Sequence, residues 1–169
     1  VSTVDAPLVA APRVAGAPPR VLIVRAPYYG AIVDGLSDGA SRLLAEAGAV
    51  AETVDVAGAL ELPQAIRIAL RGRTRFDGYV ALGCVVRGET DHYEHVCREA
   101  MAGLMQVALQ FGVPVGNGLL TVDDAGQAVA RAGADGHNKG AEAAAACLRL
   151  IDAGRRLGAL DGAPVSGGA

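Results

Sequence analysis

The sequence predicts a single α/β domain built on a parallel sheet. Hydrophobic residues make up 51% of the chain but aromatic residues only 4%, so the core is Ala, Val, Leu and Ile at close helix-sheet contacts rather than the aromatic centre of a β-sandwich. From Val21 onward, short apolar runs alternate with longer stretches of helical spacing, the pattern of βαβ units. At 169 residues the chain lies in the usual single-domain range, a size at which roughly two thirds of the unfolded surface is buried.

The elements follow in order. Val21 to Val24 is the first strand, and Gly30 to Ala47 is a helix carrying Ile32, Leu36, Leu43 and Leu44 and stopped by Gly48. Val50 to Val56 is the second strand. Pro63 suits the first turn of a helix running to about Leu70, where its missing N–H has no helical acceptor. Tyr79 to Val86 is the third strand. Thr90 caps a long helix to about Gln110, with Val96, Met101, Leu104, Val107 and Leu109 on or near its buried side. Val113 to Leu120 is the fourth strand. Asp123 or Asp124 caps a short helix ending near Ala132, and Asn138 caps an Ala-rich helix from about Lys139 to Leu157.

The ends differ from this body. Residues 1–20, rich in Ala and Pro, read as a flexible or loosely docked arm, residues 21–158 as the domain, and residues 159–169 as a flexible tail. The amino end has no charged region followed by an apolar core and so does not resemble a secretory signal. No apolar run approaches the roughly 20 residues that cross a bilayer.

The net charge of −3 with no Lys/Arg run argues against nucleic-acid binding. Three dispersed cysteines, Cys84, Cys97 and Cys147, fit neither a disulfide framework nor a zinc knuckle and point to a reducing cytoplasm.

Ligands of open parallel sheets bind beyond the carboxyl ends of the strands. The first such end, Arg25 to Gly30, lacks the glycine spacing of a dinucleotide site and the paired carboxylates of a magnesium-binding receiver. Its Tyr28 and Tyr29 are suited to stack on a flat heterocycle or to pack on the sheet edge. The second, Gly58 to Pro63, sets Glu61 beside a helix start, as a dipole partner or as an acceptor for hydroxyls.

The third, Gly83 to Val96, combines glycine, a hydroxyl and free N–H groups at a helix start, an anion site suited to phosphate. His92 in its first turn is the best general acid/base candidate. His92 and His95 lie one helical turn apart, but nothing completes a metal set, so no metal is expected and His95 reads as a packing or interface residue. Cys84 fills the strand end, and Cys97 and Cys147 fill helix faces. On the fourth strand stands Asn117, and beyond it Arg131, Asn138, Lys139 and Glu142; Arg131 and Lys139 suit phosphate or serve as helix-terminus charges.

Gly58-Ala59-Leu60-Glu61-Leu62-Pro63, Arg87-Gly88-Glu89-Thr90-Asp91-His92-Tyr93, Arg131-Ala132-Gly133 and Asn138-Lys139-Gly140 occur in the order found in lumazine synthases, and the chain resembles that family from Val21 to Leu157. The resemblance implies a flavodoxin-like three-layer αβα sandwich with a four-stranded parallel sheet. It implies condensation of 5-amino-6-ribitylamino-uracil with 3,4-dihydroxy-2-butanone 4-phosphate to 6,7-dimethyl-8-ribityllumazine, with no cofactor.

By the same resemblance Tyr28 stacks on the pyrimidine, and Ala59, Leu60 and Glu61 lie along the ribityl chain. Cys84, Val85 and Val86 meet the ring, Gly88, Glu89 and Thr90 bind the phosphate, and His92 relays protons. Family sites lie between subunits of a pentamer, so Asn117, Arg131 and Lys139 come from the neighbour.

The chain departs from the family in having Ala26-Pro27-Tyr28-Tyr29 where Arg-Phe-Asn is common, and Asn117 where phenylalanine is common. Pro18 and Pro19 interrupt any amino-terminal strand added to a neighbour's sheet. Two other functions compete: a non-catalytic flavin- or lumazine-binding or shell protein of the same fold, against which His92, Arg131 and Lys139 argue, and a phosphate-sugar transferase or hydrolase, which leaves the Ala59 to Glu61 turn and the tyrosines unexplained.

Overall fold

The computed structural model describes residues 8–134 and 137–160. Strand β1 (Arg20–Ala26) leads through a one-turn 3-10 helix (Pro27–Tyr29) into α1 (Gly30–Glu46), followed by β2 (Val50–Asp55) and α2 (Glu61–Ala69). Then come β3 (Gly78–Val86), α3 (His92–Phe111), β4 (Val115–Val122), α4 (Ala125–Ala132) and α5 (Lys139–Arg156). The four strands form one parallel sheet in the order β2-β1-β3-β4.

Alternation along the strands sorts side chains into two cores. Val21 and Ile23 of β1, Val80, Leu82 and Cys84 of β3, and Leu120 and Val122 of β4 face α1, α4 and α5. Leu22, Val24, Ala26, Tyr79, Ala81 and Leu119 face α2 and α3. This is the expected three-layer αβα sandwich.

Small residues let α5 approach closely: a Cβ on Gly140 would collide with the carbonyl oxygen of Leu36 in α1, and Ala143, Ala144 and Ala145 are buried around it. Each aliphatic side chain buried in these layers contributes roughly 1.5–3 kcal/mol.

Three local expectations need correction. The fourth strand begins at Val115, not Val113, because Gly112 ends α3 in the left-handed region (φ 59°), the Val113 N–H still bonds to Ala108 O, and Pro114 has no N–H to offer a ladder. Thr90 does not cap α3. Asp91 takes the cap position in helical geometry (φ −66°, ψ −5°), and no side chain caps the first turn. Leu109 is exposed on α3, whereas Leu104 and Val107 are buried. Asp124, rather than Asp123, caps α4 by accepting from Gln127 N at 2.9 Å, and Asn138 caps α5 as expected, accepting from Ala141 N at 3.1 Å.

Of the arm expected over residues 1–20, the described part lies along α5. Val9, Ala11 and Val14 pack against the first core. Arg155, only 2% exposed, donates to Ala15 O at 2.8 Å and Ala17 O at 2.7 Å and pairs with Asp77 at 3.3 Å. Most of the tail expected over residues 159–169 lies outside the described residues. Among the described residues no helix is long and apolar enough to cross a membrane.

Candidate functional site

The residues singled out in the sequence fall into two concave sites and one turn. The first site, about 410 Å³, opens beyond the carboxyl ends of β1, β2 and β3. It collects Tyr28 and Tyr29 from the 3-10 turn, Ala57 to Leu60 and Glu61 from the start of α2, Cys84, Val85 and Val86 from the end of β3, and His92 and Val96 from α3. Each is placed by the parallel topology, since parallel strands put every strand-to-helix turn at the same sheet end.

Tyr28 is 77% exposed and meets Tyr29 edge-on, with ring centroids 5.2 Å apart and planes at 70°. An aromatic face is therefore presented to the cavity with little apolar cover of its own. Cys84 closes the floor, and burial pushes its thiol up to about 11, so it stays protonated and serves as wall rather than nucleophile.

The second site, also about 410 Å³, runs along the sheet-edge strand β4 under α4 and α5. It is lined by Asn117 to Val122, Arg131, Lys139, Glu142, Ala143 and Ala146, and shares no lining residue with the first. Arg131 lines this cavity, and its Nη1 donates to Gln127 O at 2.9 Å. Lys139 Nζ holds both carboxylate oxygens of Glu142, at 2.8 and 2.6 Å. Asn117 folds back, its Oδ1 accepting from Leu119 N at 3.0 Å and its Nδ2 lying 2.9 Å from Met101 Sδ.

Between them Gly88, Glu89 and Thr90 form an exposed turn that lines neither site. It leads into the uncapped start of α3, whose N–H groups and dipole favour an anion. His92 is the first residue of that helix and exposed. His95 is engaged by Arg98, with Nη2 to Nδ1 at 3.0 Å. No group of three or more His, Cys, Asp or Glu suited to a metal ion occurs among the described residues.

One chain thus brings together Tyr28, Ala59, Leu60, Glu61, Cys84, Val85, Val86 and His92, and holds Asn117, Arg131 and Lys139 in a different cavity. Sequence reasoning missed Ala57 and Val96, small or aliphatic wall residues that carry no chemical signature. It named Glu142 without a role, although its spacing of three from Lys139 on a helix is a readable pairing signal.

Residues 18–155 match the family model for 6,7-dimethyl-8-ribityllumazine synthase. The curated relatives include a 6,7-dimethyl-8-ribityllumazine synthase of Agrobacterium fabrum, 44% identical over 83% of this chain and 97% of that protein. One of Nitrobacter winogradskyi is 47% identical over 90% and 94%, and one of Bartonella tribocorum 46% over 83% and 93%.

Proposed function

The chain belongs to the 6,7-dimethyl-8-ribityllumazine synthase family, and on that premise we propose that it works at sites completed by a neighbouring subunit of a homo-pentamer or a multiple of one. The reaction condenses 5-amino-6-ribitylamino-uracil with 3,4-dihydroxy-2-butanone 4-phosphate, releasing phosphate and water, and is the penultimate step of riboflavin biosynthesis. The observation that carries the shared-site reading is the separation of the two cavities. A phosphate held at Gly88 to Thr90 needs a strong cation, and Arg131 and Lys139 lie in a cavity with no lining residue in common with the one holding His92.

In this reading Tyr28 stacks on the pyrimidine and the backbone of Cys84, Val85 and Val86 meets its edge, while Ala59, Leu60 and Glu61 lie along the ribityl chain with Glu61 accepting from its hydroxyls. The first cavity has both halves of that complementarity, an aromatic face and a carboxylate. The butanone phosphate sits at Gly88, Glu89 and Thr90 and takes Arg131 from the neighbour, with Asn117 and Lys139 beside it.

Placement does much of the work, because an amine and a ketone condense slowly unaided and alignment removes a large part of the entropic barrier. His92 passes protons as the amine adds to the carbonyl, as water leaves to form the imine, and as phosphate is eliminated. Arg131 stabilises the charge on the departing phosphate. The reducing cytoplasm is the proposed setting, supported by free Cys84, Cys97 and Cys147.

The test is to mix the two substrates with purified protein and follow lumazine absorbance over the uncatalysed background. Acceleration is expected. His92→Ala lowers kcat by roughly 10²-fold or more, and Arg131→Ala raises KM for the butanone phosphate far more than KM for the pyrimidine. Equal weakening of both substrates by Arg131→Ala contradicts its assignment. Bound lumazine or flavin without turnover favours the non-catalytic reading.

A further inference from the structure

The phosphate turn lies among acidic groups: Glu89 stands within it, Asp91 follows it at the cap position of α3, Glu94 lies in the first turn of α3, and Asp123 directly follows β4. A doubly charged phosphate approaching uncompensated carboxylates is repelled, even though solvent screens exposed charges. Arg87 is the cation that meets this problem in the chain itself.

Its Nη1 donates to Glu94 at 2.6 Å and its Nε to Asp123 at 2.9 Å. Its guanidinium lies over the Tyr93 ring, 4.3 Å from the centroid, and its backbone N–H donates to Val122 O at 2.9 Å. One residue thereby ties the end of β3, the first turn of α3 and the end of β4 around the turn that follows it. Its side-chain hydrogen bonds to Glu94 and Asp123 both end on carboxylates, and its position at the root of the turn makes it a brace rather than a phosphate ligand.

We propose that Arg87 is a positioning residue for the phosphate subsite, fixing the Gly88 to Thr90 turn against α3 and β4 and neutralising Glu94 and Asp123 so that the subsite accepts a dianion. The inference rests on the reading that this turn binds the butanone phosphate. Arg suits this place by its geometry: a planar fork reaches two carboxylates on different elements while its face covers an aromatic ring, whereas the compact ammonium of Lys lacks the planar fork that spans both.

The experiment compares wild type, Arg87→Met, Arg87→Lys and the double variant Arg87→Met/Asp123→Asn in the assembled enzyme. It measures KM for each substrate, kcat, and competitive inhibition by inorganic phosphate, at low and at physiological ionic strength. In Arg87→Met, KM for the butanone phosphate and the inhibition constant for phosphate rise ~10-fold or more, while KM for the pyrimidine changes less than ~2-fold. Arg87→Lys falls between, and the difference narrows as salt rises.

Removing one of the two stranded carboxylates in the double variant recovers part of the phosphate affinity, which simple loosening of the turn would not. Unchanged phosphate affinity in Arg87→Met, an equal rise in both KM values, or no recovery in the double variant overturns the inference while leaving wild-type catalysis intact. Wild-type protein that turns over but is indifferent to inorganic phosphate overturns the phosphate-turn reading itself and the inference with it.

Discussion

Asn138 does two jobs, of which only one is visible in the sequence. Its Oδ1 caps α5 by accepting from Ala141 N, a role readable from a short polar residue before an Ala-rich helix. Its Nδ2, in a side chain only 3% exposed, lies within hydrogen-bond distance of Gly35 O at 2.9 Å, Ala132 O at 2.9 Å and Gly133 O at 3.1 Å. It thereby joins α1, α4 and α5 beside Lys139. That second role depends on contacts as much as 103 residues apart in sequence, which no local pattern encodes. Asn138→Asp keeps the cap but turns a carboxylate oxygen toward three carbonyls. It is expected to destabilise the protein by roughly 2–4 kcal/mol, read as a fall in thermal midpoint at fixed subunit concentration, and an unchanged midpoint would contradict this.

The same contrast holds for Arg87. Its place in the Arg-Gly-Glu-Thr-Asp-His run is legible, and its partnership with Glu94 spans one short loop. Its bond to Asp123 is made only when β4 packs beside β3.

At the level of elements, period and punctuation identified the four strands and five α-helices of the described residues in order, though not the 3-10 turn Pro27–Tyr29, because apolar alternation and helical spacing are local properties. The boundaries moved where backbone chemistry outranked hydropathy. Pro114 delayed β4, and Asp91 displaced Thr90 at the start of α3. Strand β2 shows a limit of another kind. All six of its residues are exposed in the isolated chain, including Val50 and Val54, so its apolar character predicts a strand but not what covers it.

Its carboxyl end is pinned to β1 and α1 by Arg25, which makes two hydrogen bonds to Asp55, at 2.7 and 2.9 Å, and one to Asp34 at 3.2 Å. The hydrogen bond from Arg25 holds the Asp55 carboxyl below its ordinary range. A lowered folded-state value means that the stabilisation is present above the unfolded carboxyl value, near pH 4, and is lost as the pH falls through the folded one. Asp55→Asn is therefore expected to lower stability by at most about 1 kcal/mol at neutral pH. The gap from wild type should close on acidification, as urea unfolding at several pH values would show. A gap that widened toward acid pH would contradict the sign.

At the scale of the whole molecule, the order of the four motifs was enough to indicate the family, and the sandwich followed from its βα alternation. The placement of the candidate site residues in two different cavities was not readable from residue patterns alone, since a linear sequence does not say which strand ends open into which cavity. Asn117, Arg131 and Lys139 lie along β4, α4 and α5, while Tyr28, Glu61 and His92 gather beyond β1, β2 and β3. On the proposed shared-site reading, catalysis is a property of the assembly, and a symmetric ring repeats the same interface at every junction.

Subunit complementation tests this most directly. His92→Ala and Arg131→Ala subunits, each nearly inactive at limiting butanone phosphate when assembled alone, are produced together in equal amounts and purified as mixed oligomers. Shared sites predict that about a quarter of the junctions in a randomly mixed ring join an intact His92 cavity to an intact Arg131 cavity, restoring about a quarter of wild-type activity. Mixed oligomers as inactive as either parent would contradict the account, because they would place both halves of the site in a single chain.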